Sequence, residues 1–311
     1  MAVKLDLTKE RAAKIEQISH PILSSIGIDL HVLRDDLLHP AVSGNKWRKL
    51  KYNLLEAKSR GVKTIVTFGG AFSNHIYATA MACKLLGLES LGIIRGEYDP
   101  RNPTLRHAHA CKMQLYFLDR ETYRLKEESQ EAMAIMSSLS NYMLIPEGGT
   151  NDNAMMGLGE LADEINKTDA DTVLVSAGTG GTATGILKGL HEQKRLWVFS
   201  SLKDPYIEDV IRDQVTDQKS SQMRFVSEYH FGGYGKTKPT LITKINEFKQ
   251  ETGLAVDPIY NGKLVVGFLD MVATGQVIPR KKYLWINTGG LQGVAAYNYL
   301  ASKKGKRLLD R

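Results

Sequence analysis

The stretch Ser43-Gly44-Asn45-Lys46-Trp47-Arg48-Lys49-Leu50 joins a loop of small and polar residues directly to an amphipathic helix. The apolar residues recur at the spacing of one helical face, at Trp47, Leu50, Leu54 and Ala57. The basic residues Arg48, Lys49 and Lys51 are predicted to lie off that face. Lys46 stands at the helix start, where the dipole disfavours a cation. The position favours an amine that is neutral for part of the time and able to form a Schiff base with an aldehyde. The simpler interpretation is one more solvated lysine.

Strand and helix patterns alternate along most of the chain. Strand-like apolar runs are predicted at residues 28–33, 64–68, 90–94, 114–118, 142–145, 172–175, 196–200 and 283–286. Helical patterns are predicted at residues 77–86, 122–138, 155–165 and 184–191, and residues 1–28 begin with a helix-like polar stretch. This alternation predicts an α/β fold of open, twisted parallel sheets covered on both faces, with ligands bound at the carboxyl ends of the strands.

Length and composition limit the class of protein. A chain of 311 residues is long enough for two domains. We predict a larger domain from residues 1–50 and 151–311 and a smaller inserted domain from residues 51–150. The net charge of +7 arises from basic residues interleaved with acidic ones, which does not indicate a nucleic-acid surface. No apolar run approaches the roughly 20 residues that span a bilayer.

The N-terminal stretch and the cysteines bear on location. Residues Met1 to Glu16 lack the apolar core of a signal peptide. The two cysteines, Cys83 and Cys111, stand apart and are typical of a reducing compartment. We therefore expect a cytoplasmic protein. His107 lies four residues before Cys111, but one such pair is more typical of packing than of a metal site, and no metal site is predicted.

Three loops at predicted strand ends carry residues suited to small ligands. Gly69-Gly70-Ala71-Phe72-Ser73-Asn74-His75 offers side-chain donors and free backbone N–H groups for an anion such as a carboxylate, or an ordinary helix cap. Ser176-Ala177-Gly178-Thr179-Gly180-Gly181-Thr182-Ala183 suits a phosphate at a helix N-terminus. Asn287-Thr288-Gly289-Gly290 places a hydroxyl after a strand.

Two glycine-rich segments leave alternatives. Gly178-x-Gly180-x-x-Ala183 also fits a dinucleotide fingerprint, with Asp204 near the place of a ribose-binding acid. The segment from His230 to Thr237 nearly matches a nucleoside-triphosphate loop, but it begins with histidine and Pro239 follows it closely, so that function is rejected.

Taken together, these loops resemble those of the pyridoxal-phosphate enzymes of fold type II, the tryptophan synthase β family. The Lys46 stretch, preceded by Arg34-Asp35-Asp36-Leu37, resembles the branch of D-cysteine desulfhydrase and 1-aminocyclopropane-1-carboxylate (ACC) deaminase. Further motifs follow in the same order, at residues 69–74, 145–149, 257–263 and 288–290. The resemblance implies two parallel-sheet domains with the cofactor pyridoxal 5'-phosphate in the cleft between them, the larger domain binding the cofactor.

The resemblance also implies roles for individual residues. Lys46 would bind the cofactor's aldehyde, Asn74 its ring hydroxyl, and Thr288 would lie near the pyridine nitrogen. The phosphate would be held by Gly178, Thr179, Gly180, Gly181 and Thr182. Ser73, Asn74, His75 and Tyr260 would bind a small amino-acid substrate, with Lys46, Ser73 and Tyr260 as catalytic groups. A homodimer without nucleic-acid or membrane partners is expected.

Departures from the pattern favour one reaction. ACC deaminases resemble one another in having Glu after the tyrosine and Leu where this chain has Asn261 and Thr288, which resembles the desulfhydrase pattern. We therefore expect α,β-elimination on D-cysteine or a related β-substituted D-amino acid, giving pyruvate, ammonia and sulfide. The alternatives are ACC deamination or another amino-acid lyase or racemase, a dinucleotide-dependent oxidoreductase, and a non-catalytic cofactor-binding protein. His75, where the branch often has Gln, bears on substrate identity.

Overall fold

The computed structural model describes residues 5–8 and 12–310. The strands are β1 (Lys14–Gln17), β2 (Asp29–Arg34), β3 (Thr64–Gly70), β4 (Glu89–Arg95), β5 (Gln114–Leu118), β6 (Tyr142–Ile145), β7 (Thr172–Ala177), β8 (Arg195–Ser200), β9 (Met223–Val226) and β10 (Lys282–Ile286). The helices are α1 (Pro21–Ile26), α2 (Asn45–Ser59), α3 (Asn74–Leu86), α4 (Pro103–Ala110), α5 (Arg120–Arg124), α6 (Gln130–Ser137), α7 (Asp152–Asn166), α8 (Gly181–Gly189), α9 (Tyr206–Arg212), α10 (Asp217–Ser221), α11 (Pro239–Thr252), α12 (Asn261–Ala273) and α13 (Gln292–Ser302). Short 3₁₀ turns occupy Asp35–Leu37, Lys126–Glu128 and Glu147–Gly149.

The described residues divide into two compact units. The smaller unit comprises residues 5–8 and 39–157, and the larger unit residues 12–38 and 158–310. Helix α2, which carries Lys46, therefore belongs to the smaller unit. The domain ranges expected from the sequence, 1–50 with 151–311 and 51–150, stay a prediction.

Each unit has its own sheet. In the smaller unit the strand order is β5-β4-β3-β6, and all neighbours are parallel. In the larger unit the order is β1-β2-β10-β7-β8-β9, with parallel neighbours except for the antiparallel edge pair β1 and β2. The predicted α/β class with parallel sheets is confirmed. Among the described residues, no helix is both long and apolar enough to cross a membrane.

Buried parallel strands explain why the sequence showed this class. Strand β7 is buried along its whole length, and β3 is buried except at its last residue. Such strands read as continuous apolar runs because helices cover both faces of the sheet. In the smaller unit, one core contains Val66 and Phe68, and another contains Ile76 and Ile94. The free cysteines Cys83 and Cys111 are both buried, and burial raises the pKa of the Cys83 thiol to about 12.

Two local predictions were wrong. The helix-like start of the chain contains strand β1 at Lys14–Gln17, because backbone pairing with the edge of β2 decides its conformation; residues 1–4 and 9–11 of that prediction lie outside the described residues. The single helix predicted at 122–138 is interrupted between α5 and α6. Lys126 has a φ of 50°, which no α-helix accommodates, and the hydroxyl of Ser129 accepts the N–H of Ala132 to begin a new helix.

Gly157 marks a close approach of two helices in the smaller unit. A Cβ atom at this position of α7 would lie 2.0 Å from the backbone oxygen of Arg48 in α2. No side chain can yield to relieve that contact, because the obstructing atom is backbone. Gly159, two residues along the same helix, has no atom within 4 Å of the corresponding Cβ position.

We expect Gly157→Ala to lower the free energy of unfolding by about 3 kcal/mol, since α2 would have to move. Gly159→Ala is the matched control and should change stability by less than about 1 kcal/mol, towards greater stability, because alanine favours the helix. Urea unfolding followed by circular dichroism measures both. Equal effects of the two substitutions would show that the helices tolerate separation at Gly157.

Candidate active site

Lys46 is the second residue of helix α2. The residue before the helix, Gly44, has φ 66° and ψ −150°, a conformation that a residue with a side chain rarely adopts. This turn starts the helix without a side-chain cap. The Lys46 amine is partly buried and donates to Oδ1 of Asn45 at 3.3 Å. Burial lowers the pKa of Lys46 to about 8, so that a substantial fraction of the amine is neutral at physiological pH.

Lys49 is buried, although the sequence places it off the apolar face of α2. Arg48 and Lys51, placed off that face in the same way, are also buried. Lys49 is 2% exposed, and its amine donates to the carbonyl of Gly148 at 3.1 Å and to the hydroxyl of Thr150 at 2.9 Å. Burial and then the charge of Lys46 lower the pKa of Lys49 well below its ordinary value. The chain segment near residue 150 thus supplies polar partners for a second face of α2.

Ser73 caps helix α3. Its hydroxyl oxygen accepts the N–H groups of His75 at 3.1 Å and Ile76 at 3.3 Å. The glycine before this loop is tightly packed, because a Cβ on Gly69 would lie 2.5 Å from Ile76 and 2.9 Å from the Ser73 hydroxyl. Asn74 is the first residue of the helix and is partly buried. The loop therefore presents Ser73 and Asn74 at the carboxyl end of β3.

The ring of His75 points into the smaller unit. The residue is 2% exposed, and its Nε2 lies 2.9 Å from the hydroxyl oxygen of Thr67. Thr67 donates its own proton to the carbonyl of Ile145 at 2.7 Å, so it accepts the Nε2–H of His75. Nδ1 is then unprotonated, and it is buried without a hydrogen-bond partner among the described residues. The substrate-binding role expected for His75 stays a prediction.

His75 stays neutral in the folded chain. Burial, followed by the charges of Lys46 and Lys49, lowers the pKa of His75 well below its ordinary value. A Cβ on Gly149 would lie 2.8 Å from Cε1 of the ring, so the glycine turn after Pro146 closes on the imidazole. Lys49 holds that same turn through Gly148. Lys46, Lys49 and His75 therefore form one polar cluster in the smaller unit.

The turn predicted to bind phosphate, residues 178–182, lies in the larger unit where β7 leads into α8. Helix α8 begins at Gly181, and Gly180 before it has φ 82° and provides no side-chain cap. The first N–H groups of the helix thus have no side-chain acceptor from the N-cap residue, and the helix dipole makes them a site for an anion. The hydroxyls of Ser176 and Thr184, on either side of the turn, are buried without a partner among the described residues.

Tyr260 lies against this turn. A Cβ on Gly178 would lie 2.9 Å from Cε1 of the Tyr260 ring and 3.3 Å from its hydroxyl oxygen, so only glycine fits beneath the ring. The ring of Tyr234 lies 6.3 Å from that of Tyr260, centre to centre. Sequence reasoning missed Tyr234, although it belongs to the glycine-rich segment that was rejected as a nucleotide loop.

Asp257 fixes the backbone of Tyr260. Its buried carboxylate accepts the N–H groups of Ile259 at 2.9 Å, Tyr260 at 2.7 Å and Asn261 at 3.0 Å. Burial raises the pKa of Asp257, and these hydrogen bonds oppose the rise. Sequence reasoning quoted Asp257 within a motif and gave it no role. An aspartate placed four residues before the start of a helix was the available signal.

Asn261 joins Tyr260's helix to the end of β10. Its Nδ2 donates to Asp257 at 3.0 Å, to the carbonyl of Gly289 at 2.7 Å and to the hydroxyl of Thr288 at 3.3 Å. Its Oδ1 accepts the indole N–H of Trp285 at 3.3 Å. The larger unit thus brings together Tyr260, Asn261 and Thr288, and Tyr260 lies against Gly178.

The remaining sequence candidates have structural roles. Nε2 of His107 lies 3.6 Å from Sγ of Cys111, and its ring stacks on Tyr77. The residues that the structure describes contain no group of three or more side chains able to hold a metal ion. Asp204, the acid of the dinucleotide alternative, is exposed and accepts the N–H of Tyr206 at 3.0 Å within a turn.

We expect acid to destabilise the protein through His75. The pKa of His75 in the folded chain lies well below the ordinary 6.5. Below pH 6.5 the His75 side chain therefore takes up a proton in the unfolded chain that it does not take up in the folded chain. The free energy of unfolding therefore decreases as the pH falls below 6.5. His75→Gln should remove this contribution to the pH dependence of the free energy of unfolding.

Urea unfolding at pH 7.5 and 5.5 measures the effect. His109→Gln, at an exposed position in α4, is the control and should keep the wild-type pH dependence. An unchanged pH dependence in His75→Gln would show that His75 is protonated in the folded protein.

Comparison with known proteins finds relatives that match most of the chain. The sequence profile of the family described as "Pyridoxal-phosphate dependent enzyme" matches residues 17–289. A protein of Pyrococcus abyssi, provisionally named 1-aminocyclopropane-1-carboxylate deaminase, is 30% identical over 294 residues, covering 89% of this chain and 88% of the relative. The D-cysteine desulfhydrase of Serratia proteamaculans is 26% identical, covering 95% and 96%.

A third relative and a solved structure extend the comparison. The bifunctional D-cysteine desulfhydrase/1-aminocyclopropane-1-carboxylate deaminase of Arabidopsis thaliana, named as mitochondrial, is 28% identical and covers 86% of this chain and 74% of its own length. The crystal structure of an ACC deaminase homologue aligns with a TM-score of 0.79 at 26% identity, covering 94% and 93%. The resemblance inferred from the sequence motifs is confirmed, and the chain belongs to the family of pyridoxal-phosphate-dependent enzymes.

Proposed function

We propose that this enzyme is a lyase that eliminates sulfide from D-cysteine or a related β-substituted D-amino acid. With water, D-cysteine would give pyruvate, ammonia and hydrogen sulfide. The observation that carries this choice is the Asn261–Thr288 hydrogen bond in the larger unit. Relatives named for D-cysteine desulfhydration and for ACC deamination both support the reaction class.

Lys46 is the proposed amine for the cofactor's aldehyde. Its pKa of about 8 leaves enough neutral amine for attack on a carbonyl, whereas an ordinary lysine, with a pKa of about 10.4, is almost wholly charged. Pyridoxal phosphate, when bound, supplies an electron sink next to the substrate Cα. The Lys46 amine, when not joined to the cofactor, would be a base of suitable pKa to take the proton from a substrate Cα.

The 178–182 turn is the proposed phosphate site. The glycines leave the backbone open, and the start of α8 provides N–H groups and a favourable dipole. The contact between Gly178 and Tyr260 supports the fit, because any larger residue would displace the tyrosine. Thr179 and Thr182 are proposed to add hydroxyl donors to the same anion.

Ser73 and Asn74 are the proposed binding groups for the substrate carboxylate, and Asn74 also for the cofactor's ring hydroxyl. The Ser73 oxygen accepts two backbone N–H groups, so its own proton is available to donate. His75 is proposed to support this loop from the interior through Thr67, rather than by its ring touching substrate. Tyr260 is the proposed second acid or base.

The surroundings of Thr288 favour elimination over ring opening. The Thr288 hydroxyl accepts from Asn261, which leaves its proton for a neighbouring acceptor such as a pyridine nitrogen. A hydroxyl supplies a hydrogen bond but no negative charge, so it does not favour a protonated ring as a carboxylate would. With Thr288 as its neighbour, the ring would draw less electron density from the substrate Cα than it would opposite a carboxylate, which would favour a reaction that expels a β leaving group promptly.

Asn261 also bears on the choice. Its amide donates to the buried Asp257 carboxylate, a place where the glutamate of ACC deaminases would set one carboxylate against another. ACC deamination and a broader lyase or racemase activity nevertheless remain alternatives with the same cofactor. The dinucleotide oxidoreductase has less support, because Asp204 is held in a turn. A homodimer and a cytoplasmic location stay predictions.

We expect Lys46→Ala to abolish covalent attachment of the cofactor and to lower kcat about 10³-fold or more, because the attachment amine and the proposed base are removed together. Borohydride fixation followed by peptide mass spectrometry locates the modified lysine. Lys58→Ala, at an exposed position of the same helix, is the control and should keep wild-type attachment and turnover. Label found on another lysine of the wild-type protein would refute the role of Lys46.

A substrate panel tests the proposed reaction. We expect pyruvate and sulfide from D-cysteine, with much lower rates from L-cysteine, and little 2-oxobutyrate from ACC, because Asn261 and Thr288 occupy the two distinguishing positions. Product assays and chiral chromatography separate elimination, ring opening and racemisation. Preferential formation of 2-oxobutyrate would replace the proposal by ACC deamination, and absence of turnover with all three substrates would favour a binding protein.

A further inference from the structure

Lys263 is a buried cation that the proposed reaction does not use. It is the third residue of α12 and only 1% exposed. Its amine donates to the carbonyl of Gly233 at 2.8 Å and to that of Ser201 at 3.2 Å. Both of these partners are neutral, although the carboxylate of Asp257 exerts some attraction. Burial lowers the pKa of Lys263 to about 8, which reflects the energetic cost of placing a charge here.

The carbonyl of Gly233 belongs to a tight glycine-rich loop, His230–Gly235. Gly232 and Gly233 both have φ 100°, and Gly235 has φ 66°. The Gly233 oxygen also accepts the N–H of Lys236 at 3.1 Å, and the N–H of Gly233 donates to the carbonyl of His230 at 3.0 Å. Gly233 is therefore the residue through which the loop is bonded both to itself and to Lys263. Tyr234, beside Tyr260, follows directly.

Helix α12 also packs against the segment that leads into the 230–235 loop. Gly267 lies one turn after Lys263 in α12, and a Cβ there would lie 2.6 Å from the ring of Tyr229. Tyr229 therefore packs directly on α12, which begins immediately after Tyr260. One helix thus fixes Tyr260 at its start and the approach to Tyr234 along its side.

Ser201, the second partner of Lys263, is hydrogen-bonded to the strand that leads into the 178–182 turn. Ser201 follows β8, and its N–H donates to the carbonyl of Ala177 at 2.9 Å. Ala177 ends β7 and directly precedes Gly178. The amine of Lys263 is consequently bonded to the Tyr234 loop and to the strand end beside the 178–182 turn.

We propose that Lys263 is a positioning residue: it binds the Gly233 carbonyl so that the ring of Tyr234 stays beside the ring of Tyr260. The proposal rests on the proposed function in one respect, since it assumes that Tyr260 meets the substrate. Lys263 itself touches neither substrate nor cofactor. Removing its amine releases the Gly233 carbonyl and lets the 230–235 loop move.

Lys263→Met tests this with an apolar side chain of similar length. In the cofactor-free protein we expect the amide of Lys236 to exchange with deuterium about tenfold faster or more, because its acceptor is no longer held. In the holoenzyme we expect kcat/KM for D-cysteine to fall about 10–100-fold, as for other misplaced site groups, with cofactor attachment at Lys46 retained.

Lys194 provides a matched control in the same unit. It is also a buried lysine, and it donates to two carbonyls, of Thr168 and Ala170, each at 2.8 Å. It immediately precedes β8, at the opposite end of that strand from Ser201. Lys194→Met should affect stability in a similar way but leave exchange at Lys236 unchanged and kcat/KM within about twofold.

A double-mutant cycle separates positioning from general destabilisation. If Lys263 acts through Tyr234, Lys263→Met should add little to the loss of kcat/KM caused by Tyr234→Ala. Additive losses, or unchanged exchange at Lys236, would overturn the proposal. Should Lys263→Met fail to fold, Lys263→Gln replaces it; its side chain is shorter and its two N–H donors are uncharged, so smaller changes in the same directions are expected. A wild-type enzyme inactive on D-cysteine would refute the proposed function, whereas the exchange result judges Lys263 independently.

Discussion

Each unit contains buried lysine amines, and the free energy needed to bury a charged amine constrains the structure around each of them. A lysine in an apolar surrounding either loses its proton or is held by oxygen atoms. Lys46 shows the first outcome in part, with a pKa lowered to about 8 and an asparagine oxygen as the observed partner. Lys49 and Lys263 show the second, because each donates to the carbonyl of a glycine whose backbone has a positive φ. The smaller unit thus contains Lys46 beside the structural amine of Lys49, and the larger unit contains the structural amines of Lys263 and Lys194.

Glycine turns and buried amines depend on one another in this chain. A carbonyl in a regular helix or strand is already occupied, whereas a left-handed glycine turns its carbonyl out of the regular pattern. Gly148 and Gly233 are residues of this kind. Each lies in a loop next to an aromatic or imidazole ring that the site uses or that supports it: His75 for the first and Tyr234 for the second. The buried amines therefore convert flexible glycine loops into fixed supports for rings.

Sequence reasoning predicted what is encoded locally. The spacing of apolar residues after Lys46 predicted α2, and the glycines after β7 predicted a turn that opens a helix. It failed where partners lie far apart along the chain. The burial of Lys49 could not be predicted because its partners, Gly148 and Thr150, are about a hundred residues away. The interior position of His75 depends on Thr67 and Ile145, which belong to two different strands. Strand β1 has polar residues at three of its four positions and forms through pairing with β2.

The two buried thiols have a consequence for chemical modification of the enzyme. Only the thiolate reacts readily with electrophiles and oxidants, and burial raises the pKa of both Cys83 and Cys111. The folded chain accordingly offers such reagents very little ionised sulfur. Alkylation of Cys83 requires the structure around it to open, so the rate of alkylation measures how often the smaller unit opens. A cysteine introduced elsewhere on the surface would be labelled against almost no background.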